Sequence, residues 1–322
     1  MDEMPAGRIG VPSLSQAVDI DRVVVGWDGS VPARAALEWA IARQQSAGGA
    51  IELVHVVEAT ALAVGPLLQL VEDSARIAAT AMNDEVVHCR LRAPEIEWSG
   101  AVVVGNPVGE LLRRSGPASI IAVGSHVRSA TAARLGWSFG ARLLSGALGP
   151  VAVIPPRGDG EGHGVVVGVN GSDESIAATL FAAREAAARG AELHAVFAWQ
   201  EPVAEELNRL NPHFSAWVRD SNATVFAAAL EPVRSAFPEL SVVTHLDNDT
   251  PSAAILRHAR GRALVVVGSR GHGFVRRFLL GSVSHSVLVA LEIPTIVMGH
   301  AASVRRPHRA AAGERSTTSA GI

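Results

Sequence analysis

Short apolar runs alternate along the chain with longer, Ala-rich stretches in which apolar residues recur every three or four positions. The runs, such as Val23-Val-Val-Gly26, Ser119-Ile-Ile-Ala-Val-Gly124 and Ala263-Leu-Val-Val-Val-Gly268, are continuous and rich in Val and Ile. Continuous apolar runs predict parallel strands covered on both faces, and the three-to-four spacing predicts helices between them. Ser30 is a good N-cap, with Pro32 in the first turn of the helix it opens. The pattern reads strand, helix, strand, helix, strand, helix, strand, helix, strand, and then starts again.

The second pass repeats the first in sequence. Val23-Val-Val-Gly-Trp-Asp-Gly-Ser30 matches Val165-Val-Val-Gly-Val-Asn-Gly-Ser172, and Ala50-Ile-Glu-Leu-Val-His-Val-Val57 matches Ala191-Glu-Leu-His-Ala-Val-Phe197. Ser119-Ile-Ile-Ala-Val-Gly-Ser125 matches Ala263-Leu-Val-Val-Val-Gly-Ser269, and Pro150-Val-Ala-Val-Ile154 matches Pro294-Thr-Ile-Val-Met298. Four matches in the same order at a nearly constant offset predict a tandem repeat. The predicted fold class is α/β: two tandem, doubly wound, five-stranded parallel-sheet domains of Rossmann-like type. The expected boundaries are a disordered tail over 1–19, a first domain over 20–155, a Pro/Gly-rich linker over 156–163, a second domain over 164–299 and a disordered tail over 300–322.

Composition narrows the function classes. The chain of 322 residues is 48% hydrophobic, with a net charge of −3, which supplies large cores and no basic surface for nucleic acid. All 28 of its Lys+Arg side chains are Arg, so a Walker lysine and a Schiff base are excluded. The one Cys, Cys89, reads as an inert thiol in a helix. No apolar run is long enough to span a membrane and no leader is readable, so a cytoplasmic location is expected. The 12 His residues form no metal-ligand motif, and no metal site is expected.

Ligands of open α/β sheets sit at the carboxyl ends of the strands, where the connectivity reverses. In the second half one such end is Val169-Asn170-Gly171-Ser172. Another runs from Gly268 through Ser269, Arg270 and Gly271 to Gly281-Ser282-Val283-Ser284. Gly268 and Gly271 are expected to allow positive φ and close approach of a ligand. Gly281-Ser282 opens a helix whose free amides suit a phosphate, and Ser282 and Ser284 add hydroxyls. Two amide-rich elements facing one cleft suit a polyphosphate.

The spacing Gly-x-x-Gly, nine residues, Gly-Ser resembles the nucleotide loop of the universal stress protein family. Val-Gly-x-(Asp/Asn)-Gly-Ser after the first strand and the closing Pro-x-x-Val strand resemble it too. The resemblance covers nearly the whole chain, and the tandem arrangement looks like that of actinobacterial members. It implies an ATP-binding, stress-response protein, with Mg accompanying the ATP. Asn170 would then stand at the ribose-contacting acid and Val196 at the main-chain adenine reader. Gly268, Gly271, Gly281, Ser282, Val283 and Ser284 would stand at the phosphates. It also implies pairing of the last strand between domains, giving a pseudo-symmetric tandem pair, with a further homodimer left open.

Each half departs from the family pattern. The first keeps the acid, Asp28, but has Val127 and Trp137 where the second has Gly271 and Gly281, so weak or no ATP binding is expected there. Asp28 reads equally well as part of the helix cap at Ser30. The second half keeps the loop but has the uncharged Asn170. Gly136-Trp-Ser-Phe-Gly140 resembles a hydrolase elbow, yet Ser138 does not follow a strand. Arg270, Arg276 and Arg277 flank the loop, either to screen phosphate charge or to keep it soluble. A regulatory binding module without catalytic residues is the expected function. Slow ATP hydrolysis, autophosphorylation at Ser282 or Ser284, and ligand-free dimerisation are the alternatives.

Overall fold

The computed structural model describes residues 20–59, 65–125, 139–156, 162–200, 214–269, 281–290 and 292–299. The first half comprises β1 (Arg22–Gly26), α1 (Val31–Ala47), β2 (Ala50–Glu58), α2 (Pro66–Arg92), β3 (Glu97–Gly105), α3 (Pro107–Leu112), β4 (Ser119–Gly124), α4 (Phe139–Gly146) and β5 (Val151–Ile154). The second comprises β6 (Val165–Val169), α5 (Asp173–Ala188), β7 (Leu193–Trp199), α6 (Phe214–Ala236), β8 (Val242–Asn248), α7 (Pro251–Ala259), β9 (Leu264–Gly268), α8 (Ser282–Ala290) and β10 (Thr295–Met298).

Local chemistry fixes where the helices start. Ser30 Oγ accepts from the amide of Ala33 at 3.3 Å, and Ser172 Oγ accepts from the amide of Ser175 at 3.2 Å. Asn106 Oδ1 accepts from the amide of Gly109 at 3.1 Å, with Pro107 in the first turn. Each cap satisfies an amide that the helix itself leaves without a partner.

The ten strands of the described residues join one sheet in the order β3-β2-β1-β4-β5-β10-β9-β6-β7-β8. The apolar strand runs of both halves are parallel throughout, and the halves meet through one antiparallel pair, β5 with β10. There Thr295 faces Val153, Ile296 faces Ala152 and Val297 faces Val151. The last strand therefore pairs between the two halves of one chain, removing two apolar edges that would otherwise face solvent.

Helices α1, α2, α5 and α6 pack on one face of the sheet and α3, α4, α7 and α8 on the other. Val23, Val24, Val165 and Val166 are fully buried, which is why their runs show no polar alternation. Over the junction, Arg43 of α1 reaches Glu185 of α5 with 2.7 Å between Nη2 and Oε1, both side chains being only 2% exposed. Cys89 is fully buried in α2, where burial pushes its thiol up to about 11. Among the described residues no helix is long and apolar enough to cross a membrane.

Candidate functional site

Within each half the strand order reverses between the first and fourth strands: β1 lies between β2 and β4, and β6 between β7 and β9. In the second half this reversal opens a cavity of about 280 Å³ at the carboxyl ends of β6, β7 and β9. Its apolar wall comes from Val169, Val196, Ala198, Ile255 and Val267, and its polar wall from Asn170, Ser175 and the run Gly281–Ser284.

The β6–α5 turn is built around Asn170. Gly171 adopts φ 82°, which turns the chain sharply enough for Asn170 Oδ1 to accept from the amide of Ser172 at 3.0 Å and from its hydroxyl at 2.8 Å. The amide of Asn170 donates to Ser175 Oγ at 3.0 Å. Both lone pairs of Oδ1 are thus engaged inside the turn, where a carboxylate would have brought a second acceptor oxygen. Gly168 is small for a different reason: a Cβ there would lie 2.8 Å from Ile255 Cδ1, so α7 closes directly on the strand.

The opposite wall is the start of α8. The amide of His285 donates to Gly281 O at 3.0 Å, closing the first helical turn. The amides of Ser282, Val283 and Ser284 precede that bond and have no acceptor within the helix. They give this end the partial positive charge that suits an anion. The Gly281 amide is used differently, donating to Ser269 O at 3.0 Å.

Sequence reasoning placed Val169, Asn170, Val196, Gly268, Gly281, Ser282, Val283 and Ser284 at one site, and all eight line this cavity. Gly171 and Ser172 shape the turn beneath it. Arg270 and Gly271 lie outside the described residues, as do Val127, Trp137, Ser138, Arg276 and Arg277.

Three expectations need correction. Gly268 does not take positive φ; it is the last residue of β9, extended and paired with Met298. Its close approach to the cavity comes from strand position and not from a turn. Ser284 is buried, and its hydroxyl donates to Gly268 O at 2.7 Å, so it ties α8 to β9. Val196 lies inside β7, opposite Gly168 and His245, and three strand residues still follow it. Its main chain therefore belongs to the ladder rather than to a free strand end.

Sequence reasoning missed Gly168, Ser175, Ala198, Pro251, Ile255 and Val267. Ala198 could have been found from Val196, since strand residues two apart share a face. Pro251 and Ile255 sit four apart on α7, a spacing that shows a shared face only once that helix is placed against β7.

The first half differs at the same places. Trp27 stands where Val169 stands, buried in the core with the Arg34 guanidinium 5.6 Å from its ring. His55 Nδ1 donates to Trp27 O at 2.9 Å. Asp28 is exposed, and its Oδ1 accepts from the amide of Ser30 at 2.9 Å, the same turn contact that Asn170 makes to Ser172.

Comparison with known proteins places these features in context. A model of the universal stress protein family matches residues 19–155 and again 163–299. Two universal stress proteins of Mycobacterium tuberculosis are each 31% identical. One matches over 293 residues, 85% of this chain and 96% of the relative, and the other over 305 residues, 85% and 94%. A universal stress protein of Mycolicibacterium smegmatis is 28% identical over 289 residues, 86% of this chain and 96% of the relative. Among solved structures, a universal stress protein of Archaeoglobus fulgidus aligns with a TM-score of 0.62 at 21% identity, covering 88% of this chain and 97% of that one.

Proposed function

Because the chain belongs to the universal stress protein family, we propose that its second half binds an adenine nucleotide, ATP with Mg, and acts as a regulatory binding module in the cytoplasm rather than as an enzyme. The observation that carries this reading is the cavity at the strand reversal, apolar on one side and lined on the other by the first amides of α8. A flat apolar base suits the wall of Val169, Val196, Ala198 and Ile255. Phosphates suit the amides of Ser282, Val283 and Ser284. No carboxylate is among the described residues lining the cavity, so Mg would arrive on the phosphates and keep most of its ligands from them and from water.

Binding without turnover is favoured by what the hydroxyls do. Ser284 Oγ is committed to Gly268 O, and Ser175 Oγ to the amide of Asn170. Among the described residues neither has a carboxylate or imidazole hydrogen-bonded to it that could make it a nucleophile. In the first half a bulky Trp27 takes the position of the cavity-lining Val169, and that half is read as a structural partner through β5. Occupancy of the second half would bias contacts with other proteins or with further copies.

Titration of ATP and Mg into the intact chain tests the reading, with Ala198→Phe as the variant that fills the apolar wall. Saturable binding lost in the variant, with the far-ultraviolet spectrum unchanged, is expected. Equal binding by both, or none by either, would contradict it. Mass spectrometry after incubation with ATP separates the alternatives: released ADP or phosphoserine at Ser282 would make the protein an enzyme.

A further inference from the structure

Beneath the cavity, on the same face of the sheet, three histidines from three elements lie in one stack. His258 of α7 stacks on His245 of β8 with 3.8 Å between ring centroids and 25° between planes. His245 in turn faces His194 of β7 at 5.5 Å and 11°. His194 Nδ1 and His245 Nε2 are 3.2 Å apart, one donating and one accepting. His258 Nε2 lies 2.8 Å from Asp247 Oδ2. The stack runs from helix to strand to strand, and α7 carries Pro251 and Ile255 of the cavity wall.

The internal repeat supplies a control within the same molecule. The strand registers and helix starts place His194, His245 and His258 on Glu52, Ala101 and Arg114 of the first half. There Arg114 Nε donates to Glu52 Oε1 at 2.9 Å and holds α3 to β2. One half fastens this helix with permanent charges, the other with imidazoles.

The groups facing the stack set its response. Glu192 Oε2 lies 3.5 Å from His194 Nε2. Arg262 approaches from the turn after α7. Arg257 is engaged with Asp247 at 3.0 Å and also pairs with Asp249. Burial pushes His194 below the usual imidazole range, aided by the Arg262 charge. Burial pushes His245 down too, aided by its histidine neighbours. Protonating both rings sets two N–H groups against each other across 3.2 Å, so the contact exists only while one of the two nitrogens can accept.

We propose that the His194–His245–His258 stack is a pH-sensitive latch, holding α7 on the sheet while His194 or His245 keeps a neutral imidazole and releasing it, with its part of the cavity wall, when acidification protonates both. The folded-state shifts run downward from 6.5, so the unfolded or opened form binds more protons below that value. Stability from the latch is therefore complete above about pH 6.5 and is lost as the pH falls from there. Any effect on a ligand rests on the nucleotide reading; the latch itself does not.

Amide hydrogen exchange of the full chain without nucleotide tests it, comparing α7 with α3 at about pH 7.5 and about pH 5.5 after correction for intrinsic rates. Protection of α7 is expected to fall about tenfold or more between the two pH values, while α3 keeps its protection. The triple variant His194→Glu, His245→Ala and His258→Arg transplants the first-half residues and should make α7 as insensitive as α3. His245→Phe keeps an aromatic ring in the stack without its titration, so it should blunt the fall should the triple variant not fold. Equal loss in α3 and α7, no loss in α7, or an undiminished loss in His245→Phe would overturn the latch. With no nucleotide present, none of these outcomes depends on whether the cavity binds one.

Discussion

Replacing Glu185 with Leu should be among the most destabilising single changes that the surroundings of the β5–β10 junction allow. Glu185 Oε1 accepts from Arg43 Nε at 3.0 Å and from Nη2 at 2.7 Å, and its Oε2 accepts from Arg189 Nη1 at 2.6 Å. Arg43 has almost no exposed side-chain surface, so Glu185→Leu leaves a guanidinium in the interior with neither water nor a carboxylate. Breaking one side of a buried pair costs about 3–5 kcal/mol, whereas an exposed pair is worth about 1 kcal/mol or less. Arg189 is partly exposed and can return to water, so it adds little to that cost. Removing both buried charges, as Arg43→Leu with Glu185→Leu, should recover most of the loss, because the guanidinium no longer has to be desolvated. Urea unfolding of the three proteins, followed by fluorescence, measures all of this. A single variant that loses less than about 1 kcal/mol, the range of a surface pair, or a double variant as unstable as the single, would refute the reasoning. The same pair sets an acid limit. Burial pushes the Glu185 carboxyl up, but the Arg43 and Arg189 charges outweigh it and hold the group below 4.5. Its stabilisation is therefore present above about pH 4.5 and is lost as the pH falls below that, and Glu185→Leu should flatten this part of the profile.

Two further outcomes follow from single residues. Gly171→Ala forces a Cβ into φ 82° and to 2.8 Å from Val225 Cγ1. It should cost about 1–3 kcal/mol in urea unfolding, with nucleotide affinity falling as the Asn170 turn shifts; an unchanged midpoint would contradict the strain. Cys89, pushed up to about 11 by burial and nearby Glu85, should react with a thiol reagent only after unfolding, and rapid labelling of the native protein would show that the α2 packing is wrong.

Much of this architecture was legible because the repeat states it twice. The Val-rich runs mark strands buried on both faces, and Ser30 and Ser172 mark helix starts by a chemistry that depends only on neighbours. The cavity's location followed from the strand ends and the α8 start for the same local reason. What stayed hidden depends on register across the sheet. Arg43 and Glu185 sit 142 positions apart on helices of different halves, which come together only when β5 pairs with β10. His194 and His245 meet only because Val196 falls opposite His245 in the ladder. Ser284 looked like a phosphate donor from its place after Gly281-Ser282, and only the β9–α8 contact shows its hydroxyl engaged with Gly268.

The stoichiometry of nucleotide on the intact chain decides between one working half and two. Native mass spectrometry with ATP and Mg should show one nucleotide per chain. That count should be unchanged in Asp28→Ala, whose carboxylate closes the turn before α1 in the first half, and should fall to zero in Ala198→Phe, whose ring fills the second-half cavity. Two nucleotides per chain, or loss of the single one in Asp28→Ala, would place binding in the first half and contradict the assignment.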